Sequence, residues 1–290
     1  MRAHLPSYHF RTPQNLDEAL TLRAREPGVW HPFAGGTDLM VLLEAGKLPH
    51  KNYLNLWKIS DLRGMEVSAE HVTLGALTTY TEVQAHPVLR DEFPMLCQAA
   101  SETGGLAIQN RGTLGGNIVN ASPAADSPPA LLAYEAEVEL ISLNSARWVA
   151  YKDFHTGYKL TIMQPEELLA RIRVPRNTGA MIQYYRKVGT RKAQAISKVC
   201  FAATARVTKG TVEDARMALG SVAPIPLRCI KTEDVLRGRR LDGGAIEKAR
   251  AELAAEIVPI DDIRSTRNYR LRVALNLLED FLQQLASVRT

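Results

Sequence analysis

Cysteine is scarce in this chain: Cys97, Cys200 and Cys229 are the only three in 290 residues. No two have the close spacing of a zinc or iron–sulfur site, and an odd, scattered set makes a poor disulfide framework. Buried, reduced thiols in a reducing compartment are expected. Long apolar runs are missing too; none approaches the roughly 20 residues that span a membrane. Met1-Arg2-Ala3-His4-Leu5-Pro6 lacks the apolar core of a signal peptide, so a cytoplasmic chain is expected. Nor does one charge sign dominate. The net charge of +5 comes from 36 basic and 31 acidic residues spread along the chain, so no nucleic-acid partner is indicated. Internal repeats and low-complexity segments are absent.

What is present is ordinary globular composition, 46% hydrophobic and 23% charged, at a length that suits two domains. Against that background two glycine-rich stretches stand out: Ala34-Gly35-Gly36-Thr37-Asp38-Leu39 and Ile108-Gln109-Asn110-Arg111-Gly112-Thr113-Leu114-Gly115-Gly116-Asn117. Both combine paired glycines with a hydroxyl and an acid or amide. Glycine lets peptide N–H groups approach an anion closely, and the polar side chains can take phosphate or ribose oxygens. Neither stretch is a Walker A loop or the spaced-glycine fingerprint of a Rossmann fold. Together they read as two jaws on one diphosphate, with Arg111 either holding its loop or touching phosphate.

The elements around them are legible in order. Asn15 caps a helix from Leu16 that Pro27-Gly28 ends, and Val29 to Ala34 is a strand delivering the first glycine pair. Asp38 to Ala45 reads as a helix stopped by Gly46, which sets that pair at a helix N-terminus. Strands follow at Tyr53 to Trp57, Glu66 to Ser68 and Val72 to Leu74. Thr79 and Glu82 form a capping box, and Pro94 opens a helix that runs to Gly104-Gly105. Ala121 to Pro129 predicts a rigid, extended passage; Ala130 to Tyr134 a short buried helix; Glu137 to Ser142 and Leu168 to Val174 strands. Beyond the polar Arg176-Asn177-Thr178-Gly179, three strands (Met181 to Val188, Lys198 to Thr208, Val212 to Leu219) and two helices (Ala245 to Glu256, Leu271 to Ala286) are expected.

The sequence resembles the FAD-binding medium subunit of the molybdenum hydroxylases, the xanthine dehydrogenase and carbon monoxide dehydrogenase family. The two glycine stretches carry this resemblance, with Ala121-Ser122-Pro123-Ala124-Ala125-Asp126 and Tyr185-Arg186-Lys187-Val188-Gly189-Thr190-Arg191. Ala195-Ile196-Ser197-Lys198-Val199 and Gly220-Ser221-Val222-Ala223-Pro224-Ile225-Pro226-Leu227-Arg228 extend it, so that it covers nearly the whole chain.

It implies an α+β fold: a two-subdomain FAD-binding domain of the vanillyl-alcohol oxidase type over residues 1–176 (subdomains about 1–57 and 58–176), then an α+β C-terminal domain over 177–290, a three-stranded antiparallel sheet with helices. The implied FAD-binding residues are Phe33, Ala34, Gly35, Gly36, Thr37, Asp38 and Leu39 in the first loop, and Thr113, Leu114, Gly115, Gly116 and Asn117 in the second. Thr103, Gly104 and Ile108 precede the second loop; Thr103 falls where some relatives place an aromatic ring against the flavin. Asp126 would bind the adenosine side, Leu169 would touch the flavin, and Lys187 would be a flavin-side cation favouring the anionic reduced form. No catalytic residue and no metal ligand is expected. FAD would be bound non-covalently, which leaves His31 and His155 without an attachment role.

The implied function is electron transfer: an oxidoreductase subunit taking electrons from 2Fe-2S clusters on a small partner and passing them to an external acceptor (NAD, a quinone, oxygen or a carrier). The molybdenum cofactor would sit on a large molybdopterin-binding partner, in a dimer of heterotrimers. The rival is a stand-alone flavin oxidase acting directly on a small molecule, which needs a base near the flavin.

Overall fold

The computed structural model describes residues 7–176, 181–191 and 194–287. Met1 to Pro6, where no signal peptide is expected, and Asn177 to Gly179, where the domain boundary is expected, lie outside the described residues.

The chain opens with β1 (His9–Arg11), α1 (Leu16–Arg25), β2 (His31–Phe33), α2 (Leu39–Glu44) and β3 (Asn52–Asn55). Asn15 caps α1, its side chain accepting from Glu18 N at 2.9 Å. The three strands make a parallel sheet in the order β1-β3-β2, which requires the helical crossovers that the sequence supplies.

Next come β4 (Met65–Val67), β5 (His71–Gly75), α3 (Tyr80–Ala85), α4 (Pro87–Glu92), α5 (Pro94–Glu102), α6 (Leu106–Gln109), α7 (Leu114–Val119) and α8 (Ser127–Ala133). The Thr79–Glu82 capping box is complete in both directions. β6 (Glu137–Ile141), β7 (Ala146–Ala150), the hairpin β8 (His155–Gly157) with β9 (Leu160–Thr161), and β10 (Leu168–Pro175) follow. β10 closes a five-stranded sheet, β4-β5-β10-β6-β7, by pairing antiparallel with both β5 and β6. The two sheets share a core, since Leu77, Ile141, Leu168 and Ala170 pack with Ala19, Leu20, Trp30 and Leu54.

The passage expected to be extended to Pro129 is shorter. Ser127, Pro128 and Pro129 form the first turn of α8, where missing proline N–H groups cost nothing because that turn has no intrahelical acceptor for them. Every residue of α8 is buried.

The remainder is β11 (Ile182–Val188), β12 (Val199–Thr208), β13 (Thr211–Gly220), β14 (Leu227–Arg228), α9 (Ile230–Leu236), α10 (Gly243–Glu256) and α11 (Arg267–Ser287). The sheet gains a fourth, two-residue strand beyond the three expected. Lys209 and Gly210 both have positive φ, 50° and 76°, the geometry that matches a two-residue hairpin to strand twist. One face of this sheet is covered by α11 through Ala274, Leu278, Phe281 and Leu282. The other face meets α8, which is how the third sheet is joined to the cleft-bearing part.

Candidate functional site: a cleft between three sheets

A cleft of about 1360 Å³ runs between the first glycine loop, the α6–α7 region, β10 and the loop before β12. That exceeds the roughly 300–1,000 Å³ of drug-sized sites and suits an extended ligand.

The two glycine stretches meet, but they are not equal jaws. A Cβ on Gly35 would overlap the Arg111 carbonyl oxygen, so the two backbones touch where only glycine fits. Gly36 has φ +77°, which turns the chain from β2 into α2. The peptide N–H groups of Gly35, Gly36, Thr37, Asp38 and Leu39 have no acceptor among the described residues. Five consecutive free donors at a helix entry form an anion cradle.

The second stretch has already used its donors. Leu114 N donates to Thr78 O and Gly115 N to Ala76 O, both at 2.9 Å. Gly116 N donates to the Thr113 hydroxyl at 3.1 Å and Asn117 N to Thr113 O at 3.0 Å. Thr113 is therefore an N-cap, and Gly115 and Gly116 lie in the first turn of α7. A Cβ on Gly115 would fall 2.7 Å from Ala76, so that glycine serves close packing. These backbone donors are not free as those of the first stretch are; this stretch lines the cleft with Thr113, Gly115, Gly116 and Asn117, whose Oδ1 is buried without a hydrogen-bond partner.

Of the residues named from sequence, Ala34 to Leu39, Thr103, Gly104, Ile108, Thr113, Gly115, Gly116, Asn117, Asp126 and Leu169 line the cleft. Phe33, Leu114 and Lys187 do not. The Phe33 ring lies under Gly36, within 2.6 Å of where a Cβ would stand. Leu114 is wholly buried core. Leu169 sits on β10 beside a register shift and lines the cleft with its neighbour Leu168.

Lys187 has partners of its own. Its Nζ bonds Asp126 Oδ2 at 2.7 Å and Glu102 O at 2.8 Å, with the side chain 1% exposed. Residues expected at opposite ends of the cofactor are thus one pair. A cation neutralised at that distance has little charge to lend a flavin elsewhere. Burial pushes the Asp126 carboxyl up to about 6, against the pull of Lys187. Its Oδ1 is buried and unpartnered. The 121–126 passage is itself pinned from the third sheet: Ser221 N donates to Pro123 O at 2.7 Å, and the Tyr185 hydroxyl to Asp126 O at 3.2 Å.

Several cleft residues carry no local sequence signal. His31 and His50 stack face to face from β2 and the approach to β3, and burial, then mutual repulsion, lowers His31 to about 4. Tyr53 also lines the cleft, as does Lys159, which donates to Asn120 O and Oδ1, each at 2.8 Å. His155 is away from it, buried with Nε2 3.0 Å from Ile118 O. Cys200 and Cys229 are fully buried, and burial raises all three thiols, Cys97 to about 11.

A free N–H cradle, a buried carboxylate with an open oxygen and an unpartnered amide oxygen fit a dinucleotide, with diphosphate at the cradle and hydroxyl or amine donors at the carboxylate. The family model for the FAD binding domain in molybdopterin dehydrogenase matches residues 6–177.

The chain belongs to this FAD-binding family.

A second model, the CO dehydrogenase flavoprotein C-terminal domain, matches residues 183–285 of this family member. The xanthine dehydrogenase FAD-binding subunit of Escherichia coli O157:H7 is 28% identical over 280 residues, 96% of this chain and 95% of that one. The carbon monoxide dehydrogenase medium chain of Hydrogenophaga pseudoflava is 27% identical over 93% of each chain. Among solved structures, reconstituted CO dehydrogenase from Oligotropha carboxidovorans superposes with a TM-score of 0.92 at 26% identity, covering 97% of this chain and 98% of the other. No helix among the described residues is long and apolar enough to cross a membrane.

Proposed function

We propose that this chain is the FAD-carrying electron-transfer subunit of a molybdenum-containing hydroxylase. The observation that carries this reading is the cleft: free donors at Gly35 to Leu39 beside the Asp126 carboxylate, in a chain of this family. When bound, FAD supplies the capacity to accept electrons from one-electron donors and release them to a two-electron acceptor. The protein's part is binding and orientation. The Gly35–Leu39 peptides hold the diphosphate, and Asn117 Oδ1 accepts from the cofactor beside it. Asp126, steadied by Lys187, accepts from the adenosine side, and Leu169 excludes water at the flavin.

On this reading the partners are a large subunit with the molybdenum cofactor and a small subunit with two 2Fe-2S clusters, assembled as a dimer of heterotrimers in the reducing cytoplasm. Unpaired Cys97, Cys200 and Cys229 support that compartment. NAD, a quinone, oxygen or a carrier would take the electrons. Purification of the native protein tests the proposal: flavin co-eluting with molybdenum and iron is expected. A solitary yellow protein that oxidises a small molecule unaided would overturn it.

A further inference from the structure

Arg111 touches the first glycine stretch with its backbone and stands on Trp57 with its side chain. The carbonyl of its peptide occupies the space that a Cβ on Gly35 would need, so the 111–112 peptide presses directly on the loop. The same peptide is held from the other side, where Gly112 O accepts from Tyr80 N at 3.2 Å. The guanidinium carbon lies 3.7 Å from the Trp57 ring centroid, a stacking distance. Among the described residues the guanidinium has no carboxylate partner and no hydrogen-bond acceptor, so the indole face is what fixes it.

Trp57 is itself anchored. Just after β3, Leu56 N donates to Phe33 O at 2.9 Å and Trp57 N to Asn55 Oδ1 at 3.1 Å. Arg63 also stands over the ring, at 4.5 Å, and donates from Nη2 to the Trp57 carbonyl at 2.7 Å. These contacts close a circuit. Gly35 meets the Arg111 carbonyl, Arg111 stacks on Trp57, and the residue before Trp57 is bonded to Phe33 at the end of β2, which leads back to Gly35. Gly35 through Leu39 line the cofactor cleft, and neither Arg111 nor Trp57 does. Arg111 borders an adjoining groove that shares Gly35, Gly36 and Thr37 with the cleft.

We propose that Arg111 is a positioning residue for cofactor binding: stacked on Trp57, it holds the 111–112 peptide against Gly35 and so sets the free N–H donors from Gly35 to Leu39. This rests on the FAD-binding reading above. A cradle whose backbone is held before the ligand arrives avoids an ordering cost at binding. The rival role for the same residue, a direct ion pair with phosphate, needs no tryptophan.

A double-mutant cycle on the flavin-free full chain separates the two roles, with Kd for FAD read from fluorescence quenching and thermal melting followed in parallel. Trp57→Leu and Arg111→Met should each weaken FAD binding by roughly 3- to 30-fold, the range of one cation–π contact. The double variant should bind no worse than either single one. Arg111 is exposed and Trp57 half-buried, so the flavin-free variants should melt with the wild type. Arg111→Lys and Trp57→Phe, which keep a cation and a ring face, should recover part of the loss. Wild-type FAD affinity in Trp57→Leu, or losses that multiply in the double variant, would overturn the positioning role and give Arg111 to the phosphate. A drop in melting of the flavin-free variants that accounts for their loss of affinity would also overturn it, leaving the stack a stabiliser of the fold alone. A wild-type chain that takes up no FAD defeats the underlying functional reading instead, and is told apart by that control.

Discussion

Lys187 holds Asp126, a residue of the cleft wall, Nζ to Oδ2 at 2.7 Å, leaving Oδ1 buried without a partner. The lysine thereby fixes the rotamer and charge of the carboxylate without lining the cleft. Lys187→Met is expected to weaken FAD binding by roughly 10- to 100-fold, the range for losing a charge-assisted hydrogen bond. Titration of apoprotein by flavin fluorescence quenching measures it. A variant with unchanged affinity but a lowered reduction potential would restore the flavin-side role instead.

Acid should release the cofactor. Burial raises Asp126 from 3.8 to about 6, so the carboxylate is lost as pH falls through about 6, and with it the pairing to Lys187. FAD retention is expected to drop there, and Asp126→Asn should flatten the profile. For the apoprotein fold the sign is opposite. The unfolded chain ionises first, so this group's stabilising contribution is full below 3.8 and lost as pH rises to about 6.

Two glycines separate binding from packing. Gly35→Ala places a Cβ against the Arg111 carbonyl and should open the contact between the two stretches, with FAD lost from purified protein. Gly115→Ala meets Ala76 in the core and should lower the melting temperature of apoprotein and holoprotein alike. Equal melting of Gly115→Ala and wild-type apoprotein would contradict the packing role.

His31 gives a pH effect of its own. Its burial, with His50 and Arg23 nearby, lowers it from 6.5 to about 4. Folding therefore favours the neutral ring, a contribution present above 6.5 and lost as pH falls towards 4. His31→Gln should shrink the drop in melting temperature between about pH 7 and pH 5; an unchanged drop would exclude this histidine as its source.

Arg23 ties α1 to the turn before β10. Its guanidinium donates to the carbonyls of Trp30 at 2.7 Å, Glu166 at 3.3 Å, Glu167 at 3.0 Å and also Pro165. Arg23→Met leaves those buried acceptors unmet, at about 1–3 kcal/mol each where water cannot reach. A loss of roughly 3 kcal/mol in denaturant unfolding is expected; a loss below about 1 kcal/mol would mean that water replaces the guanidinium.

Local chemistry was legible and long-range pairing was not. Asn15, the Thr79–Glu82 box, Gly46 and Lys209-Gly210 announce their turns because caps and positive φ are decided within a few residues. The Gly35-Gly36 loop presents its backbone to the cleft, as its composition suggests. The Gly115-Gly116 stretch has the same make-up, yet Thr78 and Ala76, more than thirty residues upstream, take the N–H groups of Leu114 and Gly115, and Thr113 takes the next two. Likewise nothing local links Lys187 to Asp126, or His31 to His50; the first meeting is set by the third sheet packing on α8 and the second by the pairing of β2 with β3. β7, β14 and α9 are short or amphipathically weak, and so left little trace in the pattern.

The grip of Tyr185, Lys187 and Ser221 on the 121–126 passage has a consequence for biosynthesis. A nascent chain emerging from the ribosome presents the glycine loops long before β11 and β13 exist. Its Asp126 then lacks both the cation and the backbone restraints that the third sheet provides. On the proposed reading, flavin capture is thus deferred until translation is nearly finished, and a yellow chain is one whose last sheet has already closed.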